Sequence, residues 1–174
     1  MFLLDEEEKM GEFSLTRIDE RLAHGVVTSQ WIPFSGAKQC ICIDDVAAAN
    51  SFLVKIHAAS VKPGILMETI SIKEAVERNN AGTLIKGDKA FLLFRNIQTA
   101  LKCYDQGIIF PNMQVGNTYK TGDKVQCGPT LYLSQEDADL LKKYADKIDI
   151  YYRGTINQDR KDIGDVIKKA GLSW

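Results

Sequence analysis

Apolar residues fall in short dense runs and in helical stripes, and the two patterns take turns along the chain. EFSLTRI (residues 12–18) reads as a first strand, and GVVTSQWIPF (25–34) as a helix that closes around Pro33. QCICID (39–44) is a short apolar strand bounded by acids. Residues 46–59 predict a helix with Ala49, Phe52, Leu53 and Ile56 on one face. GILMETI (64–70) is a third strand. SIKEAVERNN (71–80) opens as a capping box, in which Ser71 accepts from the amide of Glu74 and Glu74 reaches back. KAFLLF (89–94) is apolar throughout, as strands covered on both faces are.

The second half continues the alternation. Ile97, Ala100, Leu101 and Tyr104 form an i, i+3, i+4, i+7 stripe, and Gly107 suits the end of that helix. NMQVG (112–116) is a short strand, and residues 117–129 are polar and glycine-bearing, a loop or irregular hairpin. SQEDADLLKKYA (134–145) is a helix capped by Ser134, and IDIYYRG (148–154) a last strand. The final helix carries Ile163, Val166, Ile167 and Ala170 on one face. Strands that alternate with helices in this way predict a single α/β domain: a mainly parallel central β-sheet with helices on both faces.

Bulk composition narrows the function. The 174 residues favour one domain, spanning 12–174, after a disordered leader over residues 1–11. The leader's apolar stretch is too short for a secretory signal and runs into four acids. Lys and Arg number 22 against 23 Asp and Glu, a net charge of -1, which argues against a general nucleic-acid binder. No apolar run approaches the roughly 20 residues of a membrane helix, so no direct membrane insertion is expected. Cys40, Cys42, Cys103 and Cys127 lack zinc-site spacings and are expected to be reduced, mostly buried thiols, with no metal bound.

In a parallel sheet, ligands bind beyond the carboxyl ends of the strands. RIDERLAHG (17–25) sits there, past the first strand and at the start of a helix. A helix start offers free amides and a positive dipole end. Gly25 allows close backbone approach, and Arg17 and Arg21 present planar forks suited to phosphate oxygens. Neutral imidazole is nucleophilic near pH 7, and Asp19 or Glu20 can hold one ring nitrogen of His24 while the other stays free. The loop is therefore equipped to accept a phosphoryl group. Nucleotide motifs are absent, and GNTYKTGDK (116–124) fits neither the P-loop nor GxGxxG. The other histidine, His57, lies mid-helix beside core positions and reads as structural.

As a whole, TRIDERLAHGVVTSQW (16–31) resembles the active-site segment of the EIIB subunit of the bacterial mannose/fructose/sorbose-type phosphotransferase systems, at Arg17, Asp19, Arg21, Leu22, His24, Gly25, Val27 and Trp31. DDVAA, FLLFRN, VGNTY and LSQEDADLLKKY extend the resemblance over nearly the whole chain from residue 13. It implies a cytoplasmic α/β phosphocarrier that needs no cofactor. His24 would take phosphate from a phosphohistidine of EIIA and pass it to a sugar entering through the EIIC and EIID membrane subunits. Arg17, Asp19 and Arg21 match the polar residues around that histidine. Gly25, Arg95 and Asn96 join them as expected phosphate contacts. The chain departs from the family pattern at Ala23, where a bulky aliphatic is usual, at Val26, where glutamine is usual, and at Arg95, where a small polar residue is common. Those departures leave room for a second reading, a phosphate-sensing module without sugar transfer. SQWIPFSGA and VGNTY resemble the N-acetylgalactosamine branch; the sugar itself is selected by the membrane subunits. Oligomeric state is open, a homodimer included.

Overall fold

A computed structural model describes residues 11–174. The expected leader therefore lies, apart from Gly11, outside the described residues. The first strand, β1 (Glu12–Asp19), occupies the centre of a seven-stranded sheet of order β3-β2-β4-β1-β5-β8-β9. Its parallel members are β1, β2 (Gln39–Ile43), β3 (Leu66–Ile70), β4 (Lys89–Phe94), β5 (Asn112–Asn117) and β8 (Asp149–Tyr152). The two-residue β9 (Lys161–Asp162) pairs antiparallel with β8 and was not foreseen. The polar stretch 117–129 ends in an antiparallel hairpin of β6 (Val125–Gly128) and β7 (Leu131–Leu133).

Side-chain alternation divides the core into two layers. On one face Leu15, Cys40, Cys42, Phe91 and Leu93 pack against Val27, Trp31, Ile32 and Ala47. On the other, Ile18, Ile41, Ile43, Leu92 and Phe94 meet α4 (Ile72–Asn80), α5 (Ile97–Asp105), α6 (Gln135–Lys142) and α7 (Ile163–Lys169) through residues such as Ala75, Leu101, Leu141 and Ile167. The expected single-domain α/β architecture with a mainly parallel sheet and helices on both faces is the observed one. After β1 the chain crosses the first face, and after β4 the second. The neighbours β1 and β4 therefore lead away to opposite sides, and a crevice opens at their carboxyl ends.

Local geometry departs from expectation at three points. The first helix ends at Ser35, close to its expected end around Pro33, but its winding is unexpected: a π-turn segment, Val27–Trp31, runs into α1 (Ile32–Ser35), and Gly36, at φ 72°, ends it. Proline lacks an N–H and its ring clashes with the carbonyl four residues back. The Ile32 amide instead donates to Val27, five residues back, and this widened turn accommodates the proline inside the helix. The helix expected over 46–59 breaks into α2 (Asp45–Ala48) and α3 (Ser51–Ala59), because Asn50 caps the second by accepting from Phe52 and Leu53. The break resets the helical phase. Phe52 and Ile56 face solvent, and the residue turned inward is His57, whose Nδ1 lies 2.8 Å from Thr69 Oγ1. At Ser71 only half the capping box forms, since Glu74 pairs with Arg78; the complete box is Ser134 with Asp137.

Burial holds His57 below the ordinary histidine range, helped by the charge of Arg95 and opposed by Asp44. The unfolded chain therefore binds a proton more readily at this position than the fold does. The stability His57 contributes is complete above the unfolded value of about 6.5 and is lost as pH falls towards the depressed folded value. Thermal midpoints measured between pH 7 and 5 should fall in the wild-type protein and fall less in His57→Gln. Equal slopes would remove His57 as the cause.

Candidate functional site

The loop between β1 and the helix is built on a strained turn. The Leu22 amide donates to the Asp19 carbonyl at 2.9 Å, and Leu22 takes φ 55°, the only positive φ outside glycine among the described residues. A left-handed leucine costs about 1–2 kcal/mol. It is held there because its side chain is buried in the layer of Val27 and Trp31. The turn delivers His24 to the helix start, where its carbonyl accepts from the Thr28 amide at 3.0 Å and from the Thr28 hydroxyl at 3.2 Å. Gly25 follows with open space where a Cβ would stand.

Everything in the loop converges on Asp19, whose carboxylate is fully buried. Oδ2 accepts from Arg17 Nη2 at 3.0 Å and Nε at 3.3 Å, and it lies 3.1 Å from His24 Nε2. Oδ1 accepts from the Arg21 amide at 3.1 Å, with the Arg21 guanidinium 3.6 Å away. Burial pushes the Asp19 carboxyl up, but the His24 hydrogen bond and the Arg17 charge outweigh it and hold the group below the usual carboxylate range. An ionised carboxylate only accepts, so Nε2 of His24 is the donor in this contact, and in the neutral ring the lone pair falls on Nδ1. The His24 side chain is 18% exposed, so part of the ring reaches solvent.

The two arginines play different parts. Arg21 is 42% exposed and reaches the surface. Arg17, expected to touch phosphate, is 1% exposed. Its guanidinium is enclosed by Asp19, by Gln114 Oε1 on β5, by the Arg153 carbonyl at 3.4 Å and by the Trp31 ring 4.6 Å below. Burial pulls it below its ordinary range, against the opposing pull of Asp19.

Arg95 and Asn96 also have engagements other than the phosphate contacts expected of them. Arg95 donates to both oxygens of Asp44, at 2.8 and 3.1 Å, and to the Glu20 carbonyl at 3.4 Å, tying the loop to the end of β2. Asn96 caps α5 by accepting from the Thr99 amide at 2.8 Å. Of the departures from the family pattern, Ala23 and Val26 pack against the apolar layer. Gln114, Gly116, Asp44 and Arg153 were missed from sequence. VGNTY and DDVAA marked the neighbourhoods of Gly116 and Asp44 without giving either a role, and no local pattern announces that the backbone carbonyl just past β8 will meet Arg17. Among the described residues no group of three or more His, Cys, Asp or Glu side chains could hold a metal ion, and no helix is long and apolar enough to cross a membrane.

A family model described as "PTS system sorbose subfamily IIB component" matches residues 13–173. The chain belongs to this family of phosphotransferase-system IIB components. Over 124 residues it is 31% identical to the N-acetylgalactosamine-specific phosphotransferase enzyme IIB component 1 of Escherichia coli (strain K12), covering 71% of this chain and 77% of that protein. It is 23% identical over 156 residues to the mannose-specific EIIAB component of the same organism, covering 89% of this chain but 48% of that longer protein. The crystal structure of the IIBSor domain of the sorbose permease from Klebsiella pneumoniae superposes with a TM-score of 0.80 at 21% identity, covering 91% and 97% of the two chains, a likeness of fold. The resemblance drawn from the loop motif thus holds for this IIB component over nearly its full length.

Removing the buried carboxylate should expose how much rests on it. Asp19→Asn leaves Arg17 as an uncompensated buried charge, which costs about 3–5 kcal/mol of folding stability. Arg21→Ala, at a half-exposed pair, should cost no more than about 1 kcal/mol. Urea unfolding of both variants distinguishes them; equal small losses would mean that Arg17 finds its charge partner elsewhere.

Proposed function

We propose that this chain is the phosphocarrier of a sugar phosphotransferase system, with Nδ1 of His24 as the phosphorylated atom. It accepts the group in the cytoplasm from a phosphohistidine of an EIIA partner and gives it to a sugar presented by EIIC and EIID membrane subunits. One observation carries the reading: the buried carboxylate of Asp19 engages His24 Nε2, which supports Nδ1 as the nucleophile at a helix start. The mannose-specific relative named as an EIIAB component supports an A-type partner for this B-type chain.

In the first step the Nδ1 lone pair forms the new N–P bond as the donor's N–P bond breaks, its electron pair returning to the donor imidazole. With Nε2 still protonated, the phosphorylated ring is cationic, and the fixed carboxylate of Asp19 offsets that charge. Arg21 and the first amides of the helix hold the non-bridging oxygens. Arg17 acts through Asp19. In the second step a sugar hydroxyl oxygen forms the P–O bond, the N–P pair returns to Nδ1, and the hydroxyl proton passes to solvent. Positioning and charge supply the catalysis, as is usual for phosphoryl transfer.

Incubation with phosphorylated EIIA should label the wild-type chain and His57→Gln, and leave His24→Ala unlabelled. The bond should be lost in mild acid and survive base, with phosphorus–nitrogen coupling at Nδ1. Label at Nε2, at His57 or at a hydroxyl would overturn the assignment. Loss of label on adding sugar and the membrane subunits, with N-acetylgalactosamine the first sugar to test, separates a transferring carrier from a phosphate sensor.

A further inference from the structure

We infer that Gln114 and Gly116 on β5 are positioning residues, which set the tautomer of His24 by fixing the guanidinium of Arg17. The inference rests on the reading of His24 above and deepens it. Three observations converge on Arg17 from outside the loop motif.

Gln114, fully buried on the neighbouring strand and in register with Arg17, accepts from Nη1 through Oε1. Its amide nitrogen makes no hydrogen bond of ordinary geometry and has only the Tyr151 hydroxyl near it. A half-satisfied buried amide is costly, about 1–3 kcal/mol. Packing alone favours an apolar residue at this site, so the useful part of Gln114 is the oxygen that faces Arg17.

Gly116 lies two residues further along the same face, and a Cβ built there collides with Cζ, Nη1 and Nη2 of Arg17. Its φ is not in the left-handed region, so the glycine is required for space and not for backbone conformation. It leaves the slot through which the guanidinium passes. The Trp31 ring closes the slot from the helix side. The Arg153 carbonyl caps it, while the Arg153 side chain stacks 4.9 Å from Phe34 and donates to the Gln158 and Ile156 carbonyls at 2.7 and 2.6 Å.

Within this cradle the guanidinium has one orientation, which aims Nε and Nη2 together at Asp19 Oδ2. That is the oxygen facing His24 Nε2. A guanidinium that turns or withdraws removes both of its donors from Oδ2 and leaves the carboxylate held only through Oδ1 by Arg21, so the oxygen that faces His24 Nε2 loses its fixed direction. Gln114 and Gly116 touch neither His24 nor the phosphoryl group; their effect travels through Arg17 and Asp19.

The test compares wild type with Gln114→Met, Gly116→Ala and Gln114→Glu. Gln114→Met keeps the volume and removes the acceptor, Gly116→Ala fills the slot, and Gln114→Glu retains an oxygen at the same reach. Each is checked for folding by thermal melting, then by nitrogen NMR of His24 in the absence of any partner. Wild type and Gln114→Glu should show one tautomer, hydrogen on Nε2. Gln114→Met and Gly116→Ala should drift to the mixed tautomers of free imidazole. With phosphorylated EIIA the latter two should lose about 10–100-fold in the maximal transfer rate, the scale of losing a group that orients a reactive side chain, with the half-saturating EIIA concentration unchanged. A folded Gln114→Met with the wild-type tautomer and rate would overturn the inference, as would Met and Glu variants that behave alike. Absence of label from wild-type His24 would instead overturn the phosphocarrier reading, and the tautomer measurement does not depend on it.

Discussion

One carboxylate organises this molecule's chemistry. Asp19 is fully buried between a guanidinium with almost no exposure and an imidazole that opens to solvent. Taking an acid and a base out of water costs several kcal/mol per ion, and their attraction repays it only when the geometry and the remaining hydrogen bonds are good. Here they are: Arg17 is enclosed by acceptors from β1, from β5 and from the chain beyond β8, and Asp19 accepts from three residues. The outcome is an acceptor with a fixed direction, and the oxygen so fixed is the one that faces His24 Nε2.

The sheet topology supplies this arrangement. Arg17 and Asp19 alternate with Thr16 and Ile18, so both acidic and basic groups fall on the face covered by the first helix, while Ile18 enters the opposite layer. As β1 is central, Arg17 has a strand on each side, and β5 brings Gln114 level with it. An edge position has one flanking strand only, and no such cradle. The same central placement puts the end of β1 beside the end of β4, with β2 one strand further on, and from these two ends Arg95 and Asp44 brace the loop. A site at a strand end in a parallel sheet is thus held by the neighbours' ends as well as by its own.

Much of this was legible in the sequence because the strands are dense apolar runs and the site is local. KAFLLF, QCICID and the first strand needed nothing beyond their pattern, and the eight residues from Arg17 to His24 hold most of the site's chemistry. Errors arose where a single residue outweighed periodicity: Asn50 caps a new helix in the middle of an apolar stripe, and Pro33 is absorbed by a π-turn. The structural partners of Arg17, Arg95 and Asn96 were not legible for another reason. A sequence shows that a charge is near the site, but burial and partners decide whether it faces the ligand, and those come from β2, β5 and the segment after β8.

The division of labour proposed for the two arginines follows from these constraints. A phosphate clamp has to meet a ligand that arrives and leaves, so its guanidinium needs solvent access and freedom to move. Arg21, half exposed and anchored to Asp19 mainly through its backbone amide, has both. A group that sets the direction of a carboxylate needs the opposite: no competing water, a low-dielectric setting and one orientation. Arg17 has those, at the cost of a buried charge. Exchanging the roles would fail on both counts, since a mobile cation cannot fix Asp19 and a buried one cannot reach phosphate. The spacing Arg-x-Asp-x-Arg on a strand that ends at Asp19 achieves the separation. Residue 17 is still inside the sheet, residue 19 is at its rim, and residue 21 has already entered the turn.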